Sequence, residues 1–308
     1  METVSCNLCG SDERITLYHL PDYLLEKLDS LTVLVKCNQC GLIYQNPRPT
    51  INEIGVYYPP EYDSYNAIPN AVKNYRLMSK AIQYGINKRC RIVLENGKGG
   101  SILDIGCATG EFLNGMRRYP TWNTYGVEIS PFASSIARER FGLEVFTGTL
   151  EEAAYPDEFF DVITLWDVFE HLHEPTKTLI EIYRILKPKG ILIIRVPNVN
   201  SWDASMFGQY WAGLDAPRHL YVFNSTTLSR LLNKGGFEVK KTGCWIGSYP
   251  TFVLSLRFWM VGKGIRFPKR EKILRILNSP FARICTAPIF FIMNMGLRGP
   301  LITTIALK

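Results

Sequence analysis

Two short stretches of this chain carry residue types and spacings suited to holding a nucleoside. In Ser101–Gly110, SILDIGCATG, an apolar run containing Asp104 ends at Gly106, and Gly110 follows after three more residues. A buried strand that runs into such a turn and then a helix can cradle a ligand. The glycines let the backbone bend sharply and approach closely, and a helix beginning near Glu111 adds N–H groups with no intrahelical partner. Eighteen residues after Gly110, Glu128 closes a second apolar run, Tyr-Gly-Val-Glu-Ile. An acid at that place reaches the two hydroxyls of a ribose and accepts both protons. The turn lacks the Gly-x-Gly-x-x-Gly spacing, so it is not written for the pyrophosphate of a dinucleotide.

A different chemistry is spelled near the N-terminus. Cys6-Asn-Leu-Cys9-Gly is repeated as Cys37-Asn-Gln-Cys40-Gly. Each tight turn aims two thiolates at one point, and its closing glycine permits a positive φ. Four thiolates make a closed structural Zn²⁺ site with no position left for a substrate. The alternatives are four free cysteines or a redox pair. The 27 residues between the pairs exceed the usual spacing, so an inserted element is expected there, and His19 lies within it as an unused near-ligand.

The elements that must position these groups follow from the pattern. Apolar runs at Ser101–Ile105, Thr124–Val127, Leu143–Phe146, Val162–Leu165 and Ile191–Val196 alternate with helical stretches at Glu111–Tyr119, Pro131–Phe141, Leu150–Ala154 and Thr176–Leu186. Alternation of this kind implies a doubly wound parallel sheet, with ligands beyond the carboxyl ends of its strands. Lys187-Pro-Lys-Gly190 and Gly235-Gly236 are expected to break helices before strands, and Leu301–Leu307 reads as a closing strand. We divide the chain into a zinc-binding domain at 1–50, a connector and leading helix at 51–97, and the nucleoside-binding domain at 98–308. The connector is rich in tyrosine and proline (Tyr57, Tyr58, Pro59, Pro60, Tyr62, Tyr65), and its rings could pack the two domains together or line a pocket.

The 308 residues are 46% hydrophobic and 20% charged, enough to bury a sizeable core. A net charge of +7 hints at phosphate-bearing partners or an anionic surface, but it is modest for this length and fits a bland excess of solvated Lys and Arg as well as a nucleic-acid footprint. Residues 1–20 hold no apolar core of a signal peptide. Ile284–Leu297 is short for a spanning helix and is interrupted by Pro288. A cytoplasmic protein is expected, and in a reducing compartment clustered cysteines favour metal over disulfide. Residues 249–297 form an apolar, helix-leaning insertion dotted with basic residues. It suits peripheral contact with a lipid surface or an acidic, lipid-linked substrate, and equally a helical cap or dimer face.

Asp104-x-Gly106-x-x-x-Gly110 resembles the first motif of class I S-adenosylmethionine-dependent methyltransferases. The resemblance runs from about residue 98 to the C-terminus. It takes in Gly126-Val-Glu128-Ile-Ser, Gly148-Thr-Leu-Glu151, the stretch from Phe160 to Leu172 and Leu186-Lys-Pro-Lys-Gly190-Ile. It implies a Rossmann-like, doubly wound, seven-stranded α/β sheet, here with a small N-terminal zinc-ribbon-like domain and a helical C-terminal insertion. It also implies S-adenosyl-L-methionine as cofactor. Gly106 and Cys107 would face the methionine part, Glu128 the ribose, Ile129 the adenine, and Thr149 and Leu150 the adenine edge. Trp166 and Asp167 would lie beside the methionine portion, and Asp104 would serve the turn or the ligand.

A sulfonium methyl is already electrophilic, so catalysis is positioning, exclusion of water and a base where the nucleophile carries a proton. Of the four histidines, His171 and His173 follow the fourth strand, and His171 belongs to a Glu-His pair common in the family. His219 sits in Ala216-Pro-Arg-His-Leu-Tyr221, after the aromatic segment Trp202–Trp211, which resembles a substrate lid. His219 is the candidate base or acceptor contact, with Asn224 or Ser225 capping the helix beyond it. His171 and Tyr62 stand beside it as catalytic candidates, and Tyr58, Tyr65 and Arg218 as acceptor contacts. The pairing of a double-knuckle zinc domain with this core resembles a bacterial group that includes deoxysugar C-methyltransferases. That group carries Glu-His where this chain has Arg218-His219. The change removes an acid and supplies a cation suited to phosphate or carboxylate, so O-methylation stands beside C-methylation. The expected acceptor is small or carrier-linked, a nucleotide sugar or surface-glycan precursor. The rivals are an RNA base methyltransferase and a non-catalytic binding module. Against the first, Cys6–Cys40 holds few basic residues and no Asn-Pro-Pro-Tyr-like motif follows the fourth strand.

Overall fold

The insertion between the two cysteine pairs is a hairpin, formed by β1 (Arg14–Asp22) and β2 (Lys27–Cys37). This is seen in a computed structural model that describes residues 1–58, 75–245 and 248–308. β3 (Ile43–Gln45) pairs with β2, and α1 (Tyr75–Asn96) leads into the larger sheet. There follow β4 (Gly100–Ile105), α2 (Glu111–Met116), β5 (Trp122–Glu128), α3 (Pro131–Phe141), β6 (Glu144–Thr147) and β7 (Phe160–Trp166). Then come α4 (Pro175–Ile185), β8 (Leu186–Pro197), α5 (Trp202–Phe207), β9 (Tyr221–Val222), α6 (Ser225–Lys234) and β10 (Glu238–Gly243). Three helices, α7 (Ser248–Gly262), α8 (Phe267–Leu277) and α9 (Pro280–Met293), precede β11 (Leu301–Leu307).

The larger sheet has seven strands in the order β10-β11-β8-β7-β4-β5-β6. β6, β5, β4, β7 and β8 run parallel, and β11 is antiparallel to both of its neighbours. Its central strands read as apolar runs because both faces are covered. Leu103, Ile163 and Ile194 face one core cluster, while Ile102, Val162 and Ile193 face the other. β4 has β5 on one side and β7 on the other, and strand order reverses there. The crevice beyond its carboxyl end is therefore the natural ligand site.

The smaller sheet, in the order β1-β2-β3-β9, draws its fourth strand from far along the chain. Buried Arg48 ties the same junction. It pairs with Glu2 and Glu174 and donates to the His173 carbonyl and the Tyr221 hydroxyl. The cysteine-bearing module is thus stitched into the main body.

Three local expectations are corrected. Leu150–Ala154 is a turn and not a helix. Thr149 and Glu152 exchange hydrogen bonds there, Ala154 takes a positive φ of 47°, and Pro156 follows. α4 ends at Ile185, but no separate break precedes the strand, because residues 186–190 form the irregular start of β8. Trp202–Trp211 is not a free lid. Trp211 is fully buried, donates its indole N–H to Asp203 at 3.0 Å, and packs with Leu20, Tyr23 and Phe258. Asn224 is the cap of α6, in a reciprocal capping box with Thr227.

Candidate functional site

A cavity of about 1600 Å³ opens at the carboxyl ends of β4, β5 and β7. It is lined by Asp104, Gly106, Cys107, Glu128, Ile129, Thr149, Leu150, Trp166 and Asp167, which are nine of the ten residues expected to bind the cofactor. Gly110 lies just behind it. Gly106 and Gly110 have φ of 71° and 86°, and a Cβ on either would come within 2.5 Å of Val168 or Leu143. Their glycines are therefore required by the turn and by strand–helix packing, before any ligand is considered.

Glu128 holds the turn in place. One carboxylate oxygen accepts the Ala108 N–H and the other the Ser130 N–H, both at 2.9 Å. Each oxygen keeps a further lone pair for a ligand hydroxyl. Burial pushes the group up, against the pull of those two N–H donors. Asp104 is fully buried and accepts from the Thr164 hydroxyl at 2.6 Å. Burial raises it to about 7, with that hydrogen bond and the Arg89 charge opposing. Asp167 has a positive φ of 59° and is pinned by a two-pronged pair with buried Arg195. A backbone held in this sparsely populated region beside a cavity fits functional positioning. Trp166 sits with Arg89 and Arg195 at 5.9 and 5.4 Å from its ring and Phe112 edge-on at 5.5 Å.

The other end of the cavity is walled by Ile51, Ile54, Tyr58, Leu172 and His171. The Tyr58 hydroxyl and the Arg218 carbonyl each lie 3.0 Å from His171 Nδ1. A carbonyl can only accept, so Nδ1 carries the proton and Nε2 keeps its lone pair. His219 stacks edge-on behind His171, at 4.6 Å between centroids, and donates Nδ1–H to the Gly213 carbonyl at 2.9 Å. It does not line the cavity, so it backs His171 and does not face an acceptor directly. Glu170 is buried beside them, with His219 Nε2 3.9 Å from one carboxylate oxygen and neither oxygen hydrogen-bonded among the described residues. Its pKa is raised well above the usual range by burial and by the Asp167 charge. Tyr62 and Tyr65 lie outside the described residues.

Burial, and next the His219 ring, hold His171 down to about 3, and burial lowers His219 too. Both rings are therefore neutral in the folded protein at working pH. The unfolded chain binds protons below about pH 6.5 where the folded one does not, so stability is full above that pH and is lost as pH falls. Thermal melting from about pH 8 to 5 should show this decline, and His171→Gln should make it shallower. An unchanged slope would mean the ring titrates in solvent.

Arg218 is not an acceptor contact. Its guanidinium is fully buried, paired at 2.8 Å with both oxygens of Asp22 and with Asp215, and it also donates to the Tyr57 carbonyl. It clamps the β1 end to the loop before β9 and leaves no edge for a phosphate.

The cysteine pairs converge as expected. Cys6 and Cys40 sulfurs are 3.4 Å apart, Cys9 and Cys37 are 3.5 Å apart, and all four lie within 4.8 Å of one another. A tetrahedral ion with Zn–S of about 2.3 Å needs sulfurs roughly 3.8 Å apart, whereas a disulfide needs about 2.0 Å. The two turns are copies. Gly10 and Gly41 have φ of 78° and 77°, and each donates its N–H to the first cysteine's carbonyl. Burial tends to raise Cys37, but the Cys40 and Gln39 N–H groups outweigh it and bring that thiol to about 7. His19 lies on β1, outside the cluster.

Three residues escaped the sequence reading. Arg89, on α1, is half-buried against the cavity, and desolvation followed by the Arg195 charge lowers it to about 10. No motif marks it. Arg195 was detectable, as the one charge in the apolar run Ile191–Val196. Glu170 was visible only as half of a Glu-His pair. Arg89, Trp166 and Glu111 line the cavity, and Arg89 Nε, Trp166 Nε1 and Glu111 Oε1 are buried without hydrogen-bond partners among the described residues. Buried polar atoms left in this way fit a polar ligand that completes them.

Comparison with known proteins agrees with this geometry. The family described as "Methyltransferase domain" matches residues 78–242. A protein of Mycolicibacterium smegmatis described as an S-adenosylmethionine-dependent methyltransferase is 26% identical over 47% of this chain and 54% of its own length. Demethylmenaquinone methyltransferase of Chlorobaculum tepidum is 26% identical over 52% of this chain and 64% of its own. The chain thus spans little more than half the length of these curated relatives. A solved structure of a candidate methyltransferase from Bacillus halodurans shares the fold, with a TM-score of 0.50 at 18% identity over 73% of this chain and 99% of that one. With the reversed strand order at β4, the glycine turn and Glu128 in place, the chain belongs to the methyltransferase-domain family of class I, S-adenosylmethionine-dependent fold.

Proposed function

We propose that this protein transfers a methyl group from S-adenosylmethionine to a small or carrier-linked acceptor. One observation carries the reading. Glu128, locked to the turn at Ala108, opens into the same cavity as His171 and Tyr58, so cofactor and acceptor sites are continuous.

In this reading Glu128 holds the ribose hydroxyls. Ile129, Thr149 and Leu150 border the adenine. Asp104, Gly106, Cys107, Trp166 and Asp167, with Arg89, surround the methionine portion. The bound cofactor supplies an electrophilic methyl. The chain's own task is to orient the acceptor and exclude water, and the apolar wall of Ile51, Ile54 and Leu172 suits the second part. His171 presents Nε2 to the acceptor hydroxyl. Its low basicity suits it to hold that hydroxyl and to take the proton only as the new bond forms, when the oxygen becomes strongly acidic. His219 fixes the ring from behind.

A nucleotide sugar or surface-glycan precursor remains the proposed acceptor, now without Arg218 as its phosphate ligand. The demethylmenaquinone relative and the apolar wall favour a second acceptor class, a ring hydroxyl or ring carbon on a lipid-linked quinol. A structural Zn²⁺ at Cys6, Cys9, Cys37 and Cys40 belongs to the same proposal, supported by the convergence of the four sulfurs.

Calorimetry should show one S-adenosylmethionine per chain. Glu128→Ala removes charge-assisted bonds to ligand and turn, each contributing about 1.5–3 kcal/mol, and should weaken binding by roughly 10²-fold or more. Production of S-adenosylhomocysteine with nucleotide sugars, glycan precursors and quinols then separates the acceptors. A wild-type protein that does not bind S-adenosylmethionine would return the chain to the non-catalytic reading.

A further inference from the structure

α9 has two faces of different fate. Arg283, Phe290 and Asn294 turn inward onto α7: Arg283 lies over the Tyr249 ring, Phe290 meets Tyr249 and Phe252, and Asn294 bonds Ser248. Phe281, Ile284, Phe291 and Ile292 fall on another side of α9, with Met295 just beyond its end, and each is between 62% and 77% exposed. Single exposed apolar side chains are ordinary. A continuous stripe of five with no cover is not.

The charge beside this stripe is as uneven as its hydrophobicity. Residues 249–297 hold eight basic residues and one acid, a surplus equal to the +7 of the entire chain. The remaining residues carry 27 of each sign. Arg266, Lys269, Lys272 and Arg275 recur every third residue along α8, exposed, and none pairs with a carboxylate among the described residues. Arg270, by contrast, is buried and paired with Glu26.

We propose that α8 and α9 together dock the protein on an anionic lipid surface, the α9 stripe entering the acyl boundary and the α8 cations meeting the headgroups. The geometry suits lying on a membrane, because α8 and α9 reach a spanning length and hydropathy only as a pair bent by 72°. No single helix among the described residues is long and apolar enough to cross. α9, at 14 residues, is about 21 Å long against a hydrocarbon core of about 30 Å, and it meets α8 at a bend of 72°. Apolar burial combined with attraction of cations to anionic lipid is the general basis of interfacial binding. This inference does not rest on methyl transfer, because docking needs neither cofactor nor acceptor.

The test is flotation of the full-length protein with vesicles of phosphatidylcholine alone or mixed with phosphatidylglycerol. The protein should float with the mixed vesicles, far less with the neutral ones, and added salt should weaken binding. Phe281→Glu with Phe291→Glu, at exposed positions, should keep the melting temperature and lose vesicle binding by at least about ten-fold. Lys269→Glu with Lys272→Glu should lose roughly five-fold or more per site on mixed vesicles only. Wild-type protein that floats with neither vesicle, or variants that bind as wild type does, would overturn the proposal. So would a concentration-dependent dimer in sedimentation that the Phe281/Phe291 variant abolishes while vesicle binding is absent, since the stripe would then be covered by a second copy.

Discussion

Arg218→Ala is expected to lower the unfolding free energy by about 3–5 kcal/mol, the usual result of removing one partner from a buried charge cluster. The arginine has no exposed surface and faces two carboxylates, Asp22 on β1 and Asp215 before β9. Without it both acids are buried uncompensated. Arg218→Lys should fall between, because one ammonium cannot fork to both partners. The pH dependence has a definite sign. Burial raises the Asp215 carboxyl, but the Arg218 charge outweighs this and holds the group below the usual aspartate range. Its contribution is therefore present above that range and is lost as pH falls through the depressed value. Chemical denaturation at neutral pH measures the effect, with S-adenosylmethionine affinity of the folded variant as a companion. A loss under about 1 kcal/mol would show that the clamp is not formed. A normal stability with a raised acceptor KM would restore the phosphate-binding role that the sequence suggested.

The second large effect concerns the cysteine cluster. Purified protein should carry one zinc per chain. Cys37→Ser, at a buried ligand, should abolish it and lower the melting temperature by roughly 10 °C, since metal binding in such modules is largely folding free energy. A chelator acting on the wild type should reproduce the shift. Cys285, exposed on α9, supplies the control, because Cys285→Ser should change neither zinc content nor melting. Zinc-free protein whose melting ignores chelator would end the metal reading and leave four unbonded thiols.

What the sequence disclosed and what it hid divide along a physical line. Local chemistry was legible. The positive φ at Gly10, Gly41, Gly106 and Gly110, the acid at the end of β5, and the converging cysteine pairs are each written within a few residues. The parallel sheet was legible because strands buried on both faces read as apolar runs. Partnerships between distant segments were not. Arg218 looked like a ligand for substrate because Asp22, 196 residues away, gives no sign of meeting it. Trp211 looked like part of a lid because nothing local shows that Leu20 and Phe258 enclose it. His219 was preferred to His171 on its place after the fifth parallel strand, yet ring packing sets it one layer back from the cavity.

The two-residue strand β9 joins Tyr221 and Val222 to Tyr44 and Ile43 only two residues after His219. The cysteine module and the loop that carries His219 are therefore joined through one sheet. Removing the module would strip β9 of its neighbour in that sheet and loosen the histidine loop. Substitutions around the cysteine cluster, as well as those that face the cavity, can then reach the histidine loop.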